Sequence, residues 1–105
     1  MKSAKSSGQL KKLKHPLLLR RVNGNSMLPN LSPGKIVVAS SFSKIRVGRA
    51  VIFSDQGKDK IKRVAKLEDD KVYLLGDNPK ESTDSRQIGW LPSNRVLASV
   101  IWPSI

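Results

Sequence analysis

The chain has 105 residues, which is enough for one domain, and it contains no cysteine, so disulfides and thiolate metal sites are excluded. Its net charge is +12. Residues 1–54 contain eleven Lys or Arg and no Asp or Glu, whereas residues 55–105 contain nine basic and eight acidic residues. This concentration of positive charge attracts polyanions, a class that includes nucleic acid, anionic lipid and acidic protein.

Residues 1–21 form the first segment of the chain and are rich in Lys, Ser and Leu. Their periodicity is weak and Pro16 interrupts the apolar stretch, so we predict a flexible basic arm. The arm is interpreted either as a solvated tail or as a segment that docks to anionic membrane lipid. The run from Leu17 to Leu19 is far shorter than the ~20 residues that span a bilayer, so we expect no transmembrane segment and a location in the cytoplasm or at a membrane surface. His15, the only histidine, is interpreted as a solvated residue of the arm.

From Val22 onward the sequence consists of short β-type runs separated by turns. We predict strands near residues 35–40, 49–54, 59–67, 71–75 and 95–102. Because so many short strands must hide their edges, the pattern predicts an all-β fold, with one small closed or barrel-like domain over residues 22–105.

The first candidate for chemistry is Ser26, which follows the turn-forming residues 23–25. Glycine and asparagine permit a sharp turn there, and Pro29 stiffens the chain that follows. A serine on such a turn can be exposed while its backbone N–H points at the carbonyl that its hydroxyl attacks. The alternative is a polar turn in which Met27 and Leu28 pack into the core.

The second candidate is the row of cations on the strand predicted for residues 59–67. Alternate residues of a strand share a face, so Lys60, Lys62 and Val64 lie on one side and Arg63 on the other. At least one of these cations must therefore lie against apolar neighbours. Burial lowers the pKa of a lysine and makes its amine usable as a base near neutral pH. The alternative is an edge strand whose lysines prevent aggregation.

The third candidate is the polar loop over residues 76–86, whose side chains can bond backbone groups. One interpretation is a self-bonded turn in which Asp84 and Arg86 pair. Another is a calcium loop that uses Asp77, Asn78, Glu81 and Asp84. We do not favour calcium, because the alternating acidic ligands and central glycine of the known loop are missing, and we expect no metal.

The three clusters together resemble the signal peptidase I family in their order and content, over about residues 22–103. That family has a serine box of the form Ser-Met-x-Pro, a lysine box in which the base directly precedes an arginine, and a final box built on Gly-Asp-Asn. The matching residues are Ser26, Met27 and Pro29 of the serine box, Lys62 and Arg63 of the lysine box, and Gly76, Asp77, Asn78, Ser82, Asp84 and Arg86 of the final box.

The resemblance implies a serine endopeptidase that uses a Ser-Lys dyad and no cofactor. In that scheme Ser26 is the nucleophile, its backbone N–H stabilises the oxyanion, and Lys62 is the general base. Ser82 orients the lysine amine, while Asp84 and Arg86 hold the loop. The substrate is a protein or peptide that binds as an extended strand and loses a leader or pro-segment.

The chain departs from this family at Gly24, where many members carry a serine that assists the oxyanion hole, and at Asn30, where threonine is usual. Only twelve residues separate Arg63 from Gly76, so there is no room for the large inserted domain of some members. This compact form, with its Gly-Asp-Asn-Pro sequence, resembles the soluble branch that matures nickel-type superoxide dismutase.

Two other functions are compatible with these residues. The first is self-cleavage, as in phage and SOS repressors, which share Ser-Met and a lysine base but carry a helix-turn-helix that residues 1–21 are too short to hold. The second is a basic β-barrel that binds nucleic acid without catalysis. The +12 charge supports it, but the five aromatic residues do not interleave with the basic runs, so nucleic acid is not the expected partner.

Overall fold

The computed structural model describes residues 16–105, which form mostly β-structure. The longest helix there has four residues, and none in this range has the length and apolarity to cross a bilayer. The strands are β1 (Leu17–Arg21), β2 (Ile36–Ser40), β3 (Ala50–Asp55), β4 (Lys58–Glu68), β5 (Lys71–Leu75), β6 (Leu91–Pro92) and β7 (Val96–Trp102); the α-helix is α1 (Ser85–Ile88), and 3-10 turns lie at Pro79–Glu81 and Ser93–Arg95.

The strands form one antiparallel sheet in the order β1-β2-β7-β3-β4-β5-β6. Within residues 16–105, β1 and β6 each pair with a single neighbour, so the hydrogen-bonded order is open at both ends. The prediction of a predominantly β domain is therefore confirmed. The closed or barrel-like form predicted from the sequence is not confirmed, because the ladder does not return to its first strand.

Strand β3 lies in the middle of the sheet and is buried on both faces. Because side chains alternate along a strand, Ala50 and Ile52 enter one hydrophobic cluster while Val51 and Phe53 enter another. A run of four consecutive apolar residues is typical of such a two-sided position.

The two clusters support different parts of the molecule. The first contains Met27 and Leu31, which follow the turn at residues 23–25. The second contains Val64 of β4 and Leu74 of β5. The segment that carries Ser26 thus rests on the first cluster, whereas the strand that carries Lys62 contacts both clusters, because Ile61 packs against the first and Val64 belongs to the second.

Residues 17–21, predicted as part of the flexible basic arm, instead form strand β1 and pair with β2. The sheet therefore begins at Leu17 rather than after Arg21. Leu18 is half-buried against the first cluster while Leu17 and Leu19 remain exposed, so only one of the three leucines contributes to the core. The remainder of the predicted arm, residues 1–15, lies outside the described residues.

The other predicted strands agree with β2, β3, β4, β5 and β7 to within one residue at each end. Strand β6 was not predicted, since its two residues are too short to show an alternating pattern.

The two-sided burial of β3 gives a test of the fold. Phe53 is 1% exposed and Phe42 is 66% exposed. Phe53→Ala leaves a cavity in the second cluster, and we expect the free energy of unfolding to fall by about 3–5 kcal/mol in urea titrations. Phe42→Ala, the matched control, is expected to change it by less than about 0.5 kcal/mol. Equal losses in the two variants would contradict this packing.

Candidate active site

Ser26 lies in a turn that is anchored on both sides. Before it, Gly24 adopts φ +76°, a conformation that favours glycine. After it, the buried Met27 accepts a backbone hydrogen bond from Leu31 at 2.9 Å. Ser26 itself is half-buried, because the turn projects from the core while the next residue enters it.

Lys62 is buried, with only 4% of its surface exposed. Its Nζ donates a hydrogen bond to Ser82 Oγ at 3.0 Å. Burial lowers the pKa of the Lys62 amine below its ordinary value of 10.5; the Asp84 carboxylate opposes this shift, while Lys60 and Arg86 add to it. At a given pH, a larger fraction of Lys62 is therefore neutral than of a solvated lysine.

Asp84 is the most highly bonded carboxylate of the site and is 1% exposed. Its Oδ2 accepts from Ser82 Oγ at 2.6 Å, from Gly76 N at 2.7 Å and from Arg86 Nη2 at 2.5 Å. Its Oδ1 accepts from Arg86 Nε at 2.9 Å. Burial opposes ionisation, but the hydrogen bonds from Arg86, Gly76 and Ser82 outweigh it and hold the pKa of Asp84 well below its ordinary value.

Gly76 allows the loop to approach Ser26 closely. A Cβ at this position would lie 2.2 Å from Ser82 Oγ and 2.8 Å from the Ser26 carbonyl oxygen, closer than real Cβ atoms come. Any side chain would therefore displace the Ser82 hydroxyl or the turn that carries Ser26.

Asp77 joins the turn that carries Ser26 (the serine turn) to β4, the strand that carries Lys62 (the lysine strand). Its carboxylate accepts from Arg63 Nε at 2.8 Å and from Arg63 Nη2 at 2.7 Å, a bidentate pair, and also from Asn30 Nδ2 at 2.8 Å. Because Arg63 directly follows Lys62 and Asn30 follows the serine box, one carboxylate holds both segments in register.

Asn78 makes the direct contact between the loop and the serine turn. Its backbone N–H donates to the Ser26 carbonyl oxygen at 2.8 Å, and its side-chain amide donates to the Asn25 carbonyl oxygen at 3.0 Å. These two bonds restrain the two peptide groups that flank the Ser26 Cα, one between Asn25 and Ser26 and the other between Ser26 and Met27.

A cavity of about 890 Å³ lies between residues 20–27 and residues 57–62. Both Ser26 and Lys62 line it. Strand β4 pairs with β3 from Lys58 but with β5 only from Arg63 onward, so among the described residues the segment 58–62 has no strand partner on its second edge. The cavity therefore contains a serine hydroxyl, a buried amine and an unpaired strand edge.

The structure thus brings together the three clusters that the sequence singled out. Asp84 and Arg86 form the ion pair expected for the self-bonded turn. The carboxylate of Asp77, which the calcium alternative required as a ligand, instead pairs with Arg63. Met27 lies in the core, whereas Pro29 is exposed at the end of the turn.

Two supporting side chains were not assigned a role from the sequence. Asn30 was noted only as a departure from the family pattern, yet its amide binds Asp77. Gln87 accepts a hydrogen bond from the Asp84 backbone N–H at 2.8 Å and completes a capping box at the start of α1. The spacing Asp84-x-x-Gln87 is the sequence signature of such a box and could have identified it.

The sequence model of the Peptidase S24-like family matches residues 4–90 of the chain. The match therefore extends over all three clusters. No curated protein shows significant sequence similarity to the chain.

The burial of Lys62 predicts a variant that gains stability. Lys62→Met keeps the length of the side chain and removes a buried amine, so we expect the free energy of unfolding at neutral pH to rise by about 0.5–2 kcal/mol. Lys66→Met, on an exposed position of the same strand, is the control and should stay within about 0.5 kcal/mol. A destabilised Lys62→Met would show that the amine supports the fold.

The same residue should make stability depend on pH. The pKa of Lys62 is lower in the folded than in the unfolded chain, so between the two values the unfolded chain binds more protons and stability rises with pH. The Lys62→Met variant lacks this contribution, so chemical denaturation as a function of pH should show a smaller rise up to about pH 10.5 than in the wild type.

Asp84 predicts a pH dependence of the same sign in the acid range, because its folded pKa is also lowered. Its folded pKa lies below its ordinary value of 3.8, so its stabilisation is present above that value and is lost as the pH falls toward the folded pKa. Asp84→Asn removes the charge that Arg86 pairs with, and we expect a loss of about 3–5 kcal/mol near pH 7 and a smaller further loss on acidification than in the wild type. Asp70→Asn, at an exposed position, is the control. Wild-type stability in Asp84→Asn would refute the central role of this carboxylate.

Proposed function

The chain belongs to the Peptidase S24-like family, which indicates a serine peptidase or a self-cleaving domain of the repressor type, and we propose that it is a serine endopeptidase that removes a leader or pro-segment from another protein. The observation that carries this proposal is that the half-buried Ser26 and the buried Lys62 line one cavity, in which Ser82 holds the lysine amine. In this function Ser26 is the nucleophile and Lys62 is its general base.

The hydrogen bonds around Ser82 determine what the Lys62 amine can do. The Ser82 hydroxyl donates its only proton to Asp84, an ionised carboxylate that has no proton to give back. Ser82 can therefore only accept from Lys62, and one N–H of the amine is committed to it. In the neutral amine the lone pair is then free for another partner, which we propose is the Ser26 hydroxyl.

The reaction follows from these roles. Neutral Lys62 accepts the hydroxyl proton of Ser26 as the oxygen attacks the carbonyl carbon of the scissile peptide. The ammonium of Lys62 then gives that proton to the departing amine, leaving an acyl-enzyme on Ser26. Water, deprotonated by Lys62, attacks the ester and releases the second product, with the proton returned to Ser26.

The oxyanion of the tetrahedral intermediate needs a donor near the nucleophile. The C=O of Asn25 and the N–H of Ser26 belong to one planar peptide group and point in opposite directions. The Asn25 carbonyl accepts from the Asn78 side chain and from the Leu28 backbone, at 3.0 and 3.2 Å, which supports a fixed direction for the Ser26 N–H. We assign this N–H to the oxyanion hole, where one such donor contributes about 100- to 1000-fold in rate.

The unpaired edge of β4 supports binding of the substrate as an extended strand, by β-addition over residues 58–62. The resemblance of the three boxes to signal peptidase I suggests removal of a leader or pro-segment, and the compact form suggests the maturation of nickel-type superoxide dismutase as a specific case. Contact of residues 1–21 with anionic membrane is a further part of the proposal, testable by cosedimentation with anionic vesicles.

Self-cleavage is the second candidate, because the family match also fits a repressor-type domain. Intact-mass measurements of the purified chain during incubation distinguish the two. A product that appears in the wild type but not in Ser26→Ala, at a rate independent of protein concentration, would show cleavage within the chain. A stable chain of 11.6 kDa that cleaves added peptides supports action on another protein.

The dyad gives the main prediction. Ser26→Ala and Lys62→Arg should each reduce cleavage of a mixed peptide library, followed by mass spectrometry, by at least about 1000-fold. Arginine keeps the charge but stays protonated, so it cannot accept the serine proton. For the wild type, the rate should rise with pH through one titration below 10.5, because burial lowers the pKa of Lys62.

Lys66→Arg is the matched control, since Lys66 lies on β4 with its side chain exposed and outside the cavity. It should retain wild-type rates and the wild-type pH profile. An active Lys62→Arg enzyme would exclude Lys62 as a base and leave it at most an electrostatic role.

A further inference from the structure

The cavity beside the dyad carries an excess of positive charge. Five basic and two acidic residues line it, so the formal charge of the lining residues is +3, or +2 when Lys62 is neutral. The cations are Arg20, Arg21, Lys58, Lys60 and Lys62, and the carboxylates are Asp59 and Glu81.

Local ion pairs do not cancel this charge. Arg20 and Asp59 neutralise one another across 2.7 Å. Lys60 binds Asp55 at 2.9 Å, but Asp55 also lies 3.6 Å from Arg95, so two cations share one carboxylate. Lys58 and Arg21 both line the cavity and leave it positive.

The lysines form a row at strand spacing along the unpaired edge of β4. Lys58, Lys60 and Lys62 are two residues apart, so they share one face of the strand. At about 3.4 Å per residue, Lys60 lies about 7 Å and Lys58 about 14 Å from Lys62 along the strand. The row extends in one direction only from the dyad, toward the turn at residues 56–57.

We propose that this row is a specificity site for an acidic substrate, an inference that rests on the proposed function. A peptide added to the edge of β4 presents alternate side chains to the lysine face. Carboxylates two and four residues away from the position opposite Lys62 then face Lys60 and Lys58. The substrate therefore carries Asp or Glu at alternate positions on one side of the scissile bond.

The same charge disfavours the chain's own first segment as a substrate. Residues 1–15 contain five lysines and no Asp or Glu, so they have no carboxylate to place against the lysine row. Like charges in a partly enclosed cavity repel, which favours cleavage of another protein over self-cleavage.

The test uses peptides matched to a sequence that the wild type cleaves in the mixed library. Two positions, the second and fourth from the cut, are set to Glu, Gln or Lys, first before and then after the scissile bond. We expect the Glu peptide to exceed the Gln peptide by about 2- to 30-fold in kcat/KM, on one side of the cut only, with the difference mostly in KM. The preference for Glu should shrink as the salt concentration is raised from about 0.05 to about 0.5 M, because dissolved ions screen the attraction between exposed charges.

Charge reversal assigns the preference to the row. Lys58→Glu should abolish the preference for Glu or turn it toward the Lys peptide, and Lys58→Gln should weaken it. Lys66→Glu, on the same strand but outside the cavity, should retain it. Equal cleavage of the Glu and Gln peptides by the wild type, or a preference that survives in Lys58→Glu, would overturn the proposal.

Binding separates this inference from the proposed function. Fluorescence anisotropy on the Ser26→Ala chain, with labelled peptides of one fixed sequence that carry either Glu or Gln at every second position, measures the charge preference without cleavage and without a known cleavage site. Tighter binding of the Glu peptide that is lost in the Ser26→Ala/Lys58→Glu double variant supports the acidic site even if the wild type cleaves nothing, in which case the peptidase function fails alone. Cleavage without any preference in binding or rate removes the acidic site alone.

Discussion

The rest of the site depends on the buried carboxylate of Asp84. A charge removed from water is tolerated only when hydrogen bonds replace its hydration, and here Arg86, the Gly76 N–H and the Ser82 hydroxyl do so. Those bonds give the loop over residues 76–86 one conformation. Because the carboxylate accepts the hydrogen bond from the Ser82 hydroxyl, Ser82 can only accept from Lys62. The buried Asp84 anion therefore determines which hydrogen bond the Lys62 amine donates.

A chain of polar contacts links this loop to the two segments that carry Ser26 and Lys62. Asp77, next to Gly76, pairs with Arg63 on the lysine strand, and Asn78 binds the Ser26 carbonyl. Packing also links the two segments, because Ile61 of β4 packs against the cluster that contains Met27. The loop adds direct polar contacts to both segments, and its Gly76 allows the close approach.

The same arrangement places the proposed base and the proposed specificity site on one strand. Lys62 is covered where β4 meets the loop, whereas Lys58 and Lys60 lie farther along, where the strand edge is unpaired. Burial lowers the pKa of Lys62, as its proposed role of a base requires, whereas Lys58 is exposed and Lys60 is half-buried and paired with Asp55. A single alternating pattern thus yields two roles, and the difference comes from what covers each residue.

Local sequence determined much of this protein. The β-type runs, the turn before Ser26 and the short spacing between Asp84 and Arg86 act over a few residues, and the structure agrees with the strands they predicted. Alternation could place Lys60 and Lys62 on one face but could not select between them, and only the resemblance to signal peptidase I singled out Lys62. The tertiary structure decided the rest, because burial depends on distant segments: the loop that covers Lys62 comes from residues 76–86, Asn30 meets Asp77 across 47 positions, and Leu17–Arg21 becomes a strand only because β2 offers it a partner.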